Sequence, residues 1–400
     1  MVSVRNIITF QNFFLVIGVL AALILLVIAI WMVIAGPQTV LRILRFGDTK
    51  IDDFLHEPNR KMAAGSVLYT FAPISSQDRL DLTVPVPSGS TSNLDALLQD
   101  NDTIAFLVLK GDQLVIERYY QGHTSKTHSQ SFSMAKSFTS LLVGLAIEDG
   151  YFTSVDQPIT DFIPELTRQG FDTVTLRHLL TMTSGSTYLE NDNPFGIHVI
   201  LNYTPHLEQR ILTFRMADEP GTVWRYKSGD NALLGLALSR VLAPKTITEY
   251  MQERVWIPLG MESAGFWSLD HAGDGLEKTW CCLAATPPDL LKIGRLYLQN
   301  GVWEGRQVLP AEWVQESTQL GAIPDSMWDD NFRRIGIWNY GYQWWLVSKE
   351  DGSYLANGKD GQYLYINPAK DTVILRLGWS TGKLPLSQWV ILFQHLAEEK

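Results

Sequence analysis

Ser133-Met134-Ala135-Lys136 opens the run Ser133-Met-Ala-Lys-Ser-Phe-Thr-Ser-Leu-Leu-Val-Gly-Leu-Ala-Ile-Glu-Asp-Gly150. Apolar residues recur at 134, 138, 141, 142 and 145, a helical spacing, and Gly150 is a natural C-terminal stop. On a helix, residues i and i+3 project from one face, so the Lys136 amine is expected to reach the Ser133 hydroxyl. A serine hydroxyl is a poor nucleophile until a base takes its proton, and a lysine desolvated in a pocket can be that base. The helix N-terminus adds partial positive charge and free N–H groups near a developing oxyanion. The plainer reading of Ser133 is an ordinary first-turn or capping serine.

A second serine competes. Gly378-Trp379-Ser380-Thr381-Gly382 matches the nucleophile elbow of α/β-hydrolases, and Ser380-Thr-Gly-Lys383 repeats the Ser-x-x-Lys spacing. The elbow needs an acid and then a histidine downstream. After Ser380 there is no Asp, and His395 stands alone on the terminal helix. Leu384-Pro385 breaks the helical geometry that would bring Lys383 to Ser380. Gly378 to Gly382 therefore reads as a turn leaving a strand.

Outward from Ser133, a hairpin precedes it: Ile104 to Lys110, a Gly111-Asp112 turn, then Leu114 to Tyr120. Strands return at 341–346, 362–367 and 372–377, the last two joined by Pro368-Ala-Lys-Asp371, and an amphipathic helix runs from Leu386 to Lys400. Between them the pattern is mostly helical, with helices at 176–182, 232–241 and 289–299. The expected fold is α/β (α+β): an antiparallel sheet built from N- and C-terminal segments, flanked by helices and interrupted by a mostly helical subdomain over about 150–330. Residues 101–400 form that domain, 37–100 a Pro-rich linker and lead-in that includes Ser88-Gly89-Ser90-Thr91-Ser92, and 1–36 a membrane anchor.

The anchor rests on Phe13 to Ala35, which carries no charge and, Gly18 apart, only Ala, Val, Ile, Leu, Met, Phe and Trp. About 20 such residues cross the hydrocarbon core, whereas the h-region of a cleaved signal is about 7–15. The lipid bilayer is thus an expected partner. Arg42, Arg45 and Lys50 after the span, against Arg5 before it, favour a cytoplasmic domain. A short N-terminal tail favours the opposite, extracytoplasmic face, which is the expectation adopted here. Every candidate catalytic motif starts at or beyond Ser133, so removal of the first 40 residues is expected to leave activity intact.

Composition excludes other classes. The formal net charge is −10, and no long Lys/Arg run follows the first fifty residues, which disfavours nucleic acid as a partner. The eight histidines show no HExxH or other ligand spacing, so no metal is expected. The two cysteines, Cys281 and Cys282, are adjacent and could bridge only through a strained ring, so no disulfide framework is expected.

The ordered set of motifs from Ser66 to Gly378 resembles the serine β-lactamase and penicillin-recognising superfamily, in its class C-like branch. Thr175-Leu-Arg-His-Leu-Leu-Thr-Met-Thr-Ser-Gly185 is similar to the signature after the first motif, and Pro220-Gly-Thr-Val-Trp-Arg-Tyr226-Lys-Ser228 to the tyrosine motif. Trp280 to Asn300 with Gly301-Val-Trp-Glu-Gly305 resembles the segment closing the helical part, and Lys359-Asp360-Gly361 stands where the family has Lys-Thr-Gly or His-x-Gly. Ser228 replaces the usual asparagine of Tyr-x-Asn. Tyr-x-Ser, together with Gly361-Gln362-Tyr-Leu-Tyr and Asn339 to Trp345, is similar to the 6-aminohexanoate-dimer hydrolase and esterase branch.

The resemblance implies Ser133 as acylated nucleophile, Lys136 as its base and Tyr226 as second acid/base. It implies Ser228 and Gly361 beside the substrate, the N–H groups of Ser133 and Gln362 as oxyanion hole, and Lys359 orienting a substrate carboxylate while depressing its neighbours' pKa values. No cofactor is implied. The expected substrate is a small ester or linear amide; the alternatives are a D,D-peptidase or β-lactamase on cell-wall-like substrates, or a non-catalytic subunit of a membrane complex. Tyr188 to Pro205, rich in Asn, Asp, Pro and Gly, is the expected specificity loop.

Overall fold

A computed structural model describes residues 4–73, 82–85, 91–319 and 323–399. Its main sheet contains β1 (Ala72–Pro73), β2 (Thr103–Lys110), β3 (Gln113–Tyr119), β4 (Asn339–Tyr340), β5 (Trp345–Leu346), β6 (Tyr354–Gly358), β7 (Gln362–Asn367) and β8 (Thr372–Gly378). The spatial order is β4-β5-β6-β7-β8-β2-β3-β1, so the N-terminal hairpin lies beside the C-terminal strands, as the sequence predicts. Neighbours are antiparallel except β1, which runs parallel to β3.

β2 sits centrally because its residues are apolar on both faces. Ala105, Leu107 and Leu109 join one core, with Leu141 and Leu145 of the helix that follows Ser133. Phe106 and Val108 point the other way, into a second core with Trp389 and Phe393 of the C-terminal helix. The helices that matter below are α1 (Val4–Ala35), α2 (Pro37–Phe46), α3 (Ala135–Glu148), α4 (Ile197–Tyr203), α5 (Ser228–Leu242), α6 (Pro287–Leu298) and α7 (Leu386–Glu398).

Three expectations need adjustment. The strand expected over 341–346 is two short ones, β4 and β5, joined by a turn in which Gln343 has φ 66°. β6, which the sequence did not suggest, lies next to them. A second, small sheet pairs Asn59–Met62, Gly265–Ser268, Leu283–Ala285 and Ser129–Gln130, so that strands also occur inside the stretch expected to be helical. Residues 37–100 are consequently more than a linker: α2, Asn59–Met62, β1 and Leu94–Asp100 all belong to them. Pro87 and Ser88 to Ser90 lie outside the described residues.

α1 contains one stretch, Leu15–Ala35, long and apolar enough to cross a membrane, and its side chains are exposed over almost all of that length. The exceptions come at its end. Trp31 and Ala35 are buried in a small cluster with Val40 and Ile43 of α2 and with Ile200 and Tyr203 of α4. Gly36, at φ +90°, turns the chain between α1 and α2.

Candidate active site

The turn that carries Ser133 is shaped before it reaches the helix. Phe132 takes φ 46°, and Phe132–Met134 forms a 3-10 turn that hands over to α3 at Ala135. Ser133 is half-buried, while Lys136, one turn on, is only 1% exposed. Lys136 Nζ lies 3.0 Å from Ser133 Oγ and 3.0 Å from the carbonyl of Trp280, which it donates to. Among the described residues no carboxylate forms an ion pair with it. Burial lowers its pKa to about 8, against a smaller upward pull from Glu190. Desolvation is therefore the larger influence on this lysine, while the Lys359 charge adds to the lowering of the His198 pKa that burial causes.

Tyr226 is carried to the same place by the loop before α5. Its ring lies 4.9 Å from Lys136 Nζ and stacks on Trp345 at 5.3 Å. Burial first, then the charge of Glu190, pushes its phenol well above the ordinary value, and a hydrogen bond with Ser133 pulls weakly the other way. Tyr226 is accordingly a protonated phenol, suited to giving a proton. Ser228, at the start of α5, donates from Oγ to Glu190 at 2.7 Å and from its backbone N–H to the same carboxylate at 2.6 Å. Glu190 was not singled out from the sequence; it is one acid in the polar loop 188–205, and no spacing marks it. That loop does border the site, and it contains α4, which its Asn/Asp/Pro/Gly composition conceals.

The strand flanking the nucleophile is β6, and its last residue, Gly358, makes the close approach. A Cβ there would stand 2.4 Å from the Ser131 carbonyl and 3.4 Å from the Met134 nitrogen. Gly361 sits elsewhere, at φ +73° against Arg376, where a Cβ would be 1.8 Å from Nη1. Arg376 donates to the carbonyls of Gly361 at 2.7 Å and Ser380 at 3.0 Å and so fixes this turn. Gln362 also differs from expectation. Its N–H donates to the Lys359 carbonyl, and its side-chain amide donates to the Gly378 carbonyl at 2.7 Å. The Gln362 N–H is thus engaged within the turn, and the close approach to the residues around Ser133 is made by Gly358 rather than by Gly361. The Lys359 ammonium is held by the Asp48 carboxylate and by Thr49, at 3.3 Å from its carbonyl and 3.2 Å from Oγ1.

Ser133 stands where two clefts meet. One is a cavity of about 280 Å³ bordered by Glu190, Asp192, His198, Asn202, Trp280 and Thr49. The other, of about 410 Å³, is bordered by Tyr226, Trp345, Asn357, Lys359 and Tyr363. Cys281 and Cys282, on the wall of the first, are bonded to each other as a vicinal disulfide, the bridge the sequence reading had set aside. Thr49 on that wall also qualifies the expected dispensability of the N-terminus, since α2 and the residues just after it are built into the domain. Ser380 lies in an exposed turn, donating to Asp102 Oδ2 at 2.6 Å. Among the described residues no group of three His, Cys, Asp or Glu is placed to hold a metal ion.

Comparison with known proteins agrees with this geometry. Over 351 residues the chain is 26% identical to the 6-aminohexanoate-dimer hydrolase of Paenarthrobacter ureafaciens, covering 83% of this chain and 88% of that one. A shorter match, 28% over 162 residues, is to the lovastatin esterase of Penicillium rubens, covering 34% of this chain and 38% of that one. Among solved structures, a Bacillus anthracis protein with a provisional 6-aminohexanoate-dimer hydrolase name superposes with a TM-score of 0.70 at 23% identity, covering 85% of this chain and 90% of that one. Residues 92–384 match the family model described as Beta-lactamase. With well over half its length inside that match, this chain belongs to the Beta-lactamase family.

Proposed function

We propose that the protein is a membrane-anchored serine hydrolase that cleaves small esters or linear amides through an acyl-serine. The observation that carries this reading is the buried Lys136 amine, 3.0 Å from the Ser133 hydroxyl and in no carboxylate ion pair among the described residues. Neutral Lys136 takes the Ser133 proton as Oγ bonds to the substrate carbonyl carbon. The oxyanion is received by the N–H groups of Ser133 and Lys359, the latter replacing Gln362 because it follows Gly358 at the point of closest approach. As the intermediate collapses, the proton passes from Lys136 through the Tyr226 phenol to the leaving alkoxide or amine. Water then attacks the acyl-serine by the same route in reverse, releasing the carboxylic acid and restoring Ser133. One water is consumed for each acyl bond cut.

Ser228 and Glu190 act together as one wall of the acyl site. Ser228 there gives its hydroxyl to Glu190 and leaves no side-chain amide for a lactam's acylamino group, which favours the ester and linear-amide reading. The anchor reading is supported by the packing of Trp31 and Ala35 against α4, a contact that a cleaved leader would not keep. The catalytic domain is placed on the extracytoplasmic face. A fluorophosphonate should label the Ser133 peptide, read by mass spectrometry; an adduct on the Ser380 peptide would overturn the mechanism. Protease added to intact spheroplasts should digest the domain, and full protection until permeabilisation would reverse the topology.

A further inference from the structure

α4 presents opposite faces to two different neighbours. His198 and Asn202, one turn apart, border the cavity beside Ser133. Ile200 and Tyr203 pack against Trp31, Ala35, Val40 and Ile43 at the junction of α1 and α2. A helix with its side chains is about 10–12 Å across, so the wall between the catalytic cavity and the membrane stem is one helix thick. The stem also reaches the cavity through the backbone. Tyr203 Oη donates to the Gly47 carbonyl at 2.7 Å, Lys359 holds Asp48 and Thr49, and Gln130 N–H donates to the Ile51 carbonyl at 2.9 Å. α2 has ten residues and so is about 15 Å long, which keeps Thr49 on the cavity wall close to the end of the span.

The loop beside this cavity carries exposed apolar side chains next to exposed polar ones, Asn191, Asp192 and Asn193. Leu189 and Phe195, which flank the cavity residues Glu190, Asn191 and Asp192 in the chain, are 60% and 51% exposed. The Phe195 ring lies 4.8 Å from Trp31 at the end of the span. Leu41 and Leu44 of α2 are exposed as well, extending the apolar surface of α1 past Gly36. Exposed apolar side chains beside the end of an apolar span mark a surface that meets lipid or an apolar ligand.

We infer that the substrate is an amphiphile resident in the bilayer: an ester or amide whose polar, carbonyl-bearing end enters the cavity at Ser133 while its hydrocarbon chain stays in lipid along the Trp31 and Phe195 side. The inference rests on the serine hydrolase and anchor readings above, and the chemistry is the same. Water cleaves the acyl bond, the acyl group passing through Ser133 and the proton going to the leaving group. Tethering enzyme and substrate in one membrane raises their effective concentration, and the chain need not be extracted into water.

The test uses the full-length protein in phosphatidylcholine vesicles, with 4-methylumbelliferyl butyrate in solution and the palmitate ester placed either in the same vesicles or in separate ones. Palmitate in the same vesicles should be cleaved at least tenfold faster than palmitate in separate vesicles. Phe195→Asp should lower the ratio of same-vesicle palmitate to butyrate turnover at least fivefold. Equal palmitate rates in the two formats, butyrate cleavage with palmitate untouched, or a ratio unchanged by Phe195→Asp whatever the absolute rates, each overturns the lipid-resident substrate and leaves the hydrolase reading standing. Cleavage of neither ester, with no phosphonate adduct on Ser133, removes the hydrolase reading itself.

Discussion

Ser133 and Ser380 each have a lysine three residues on, and the two sites share nothing else. Lys136 is buried, 3.0 Å from its serine, and donates to the carbonyl of Trp280 from far along the chain. Lys383 is exposed, and its backbone N–H, with that of Leu384, is tied to Asn101 at 2.8 and 2.9 Å. Ser380 spends its hydroxyl on Asp102 and accepts from the Gly382 N–H at 3.0 Å. Spacing brings a lysine near a serine. What suits it to the base role proposed above is removal from water, because only then does the neutral amine become accessible near working pH.

The sharpest way to break this contrast is Ser133→Ala. Turnover should fall by about four or more orders of magnitude, as loss of a nucleophile does, measured as kcat/KM on a phenyl ester. Lys136→Ala follows, with a loss of about a thousandfold. The pH profile tests the same residue: the amine must be neutral to accept a proton, so kcat/KM should rise with pH and level off above about 8. A profile flat from pH 6 to 9 would mean that Lys136 is not the base. Tyr226→Phe should cost amides about a hundredfold and activated phenyl esters less than tenfold, because a departing amine needs a proton and a phenolate does not. The smallest effect belongs to Ser380→Ala. It should lower stability by about 1 kcal/mol, seen by denaturant melting, with kcat/KM unchanged.

Where the sequence was legible, the signal was local and continuous. α3 follows from an apolar period and a glycine stop, and β2, β3, β7 and β8 from runs of apolar residues ending in turn chemistry. β6 escaped because Tyr354-Leu-Ala-Asn-Gly358 is short and looks like a loop entering a glycine turn. The difference between the two glycines was hidden for a related reason. Gly358 and Gly361 stand three residues apart, and only the register of β6 against β7 decides which one abuts Ser131. Ser133 and Lys136 were marked as candidates by their i, i+3 spacing at the start of a helix, and Tyr226 by resemblance to a family motif alone. Glu190 was marked by neither, because its role comes from a loop folding over a site assembled from residues on either side of it.

The sheet's central pairing carries a consequence for how the protein is made. β2 lies against β8, and Arg376 reaches Thr103, 273 positions away in the chain. A ribosome adding about 5–20 residues per second leaves β2 without its partner for tens of seconds after synthesis. During that interval the hairpin presents an open apolar edge, of the kind that invites aggregation. α1 has emerged by then. A nascent chain already held at a membrane by that helix would wait out the interval apart from its siblings, and any stop codon before residue 372 would leave the edge open for good.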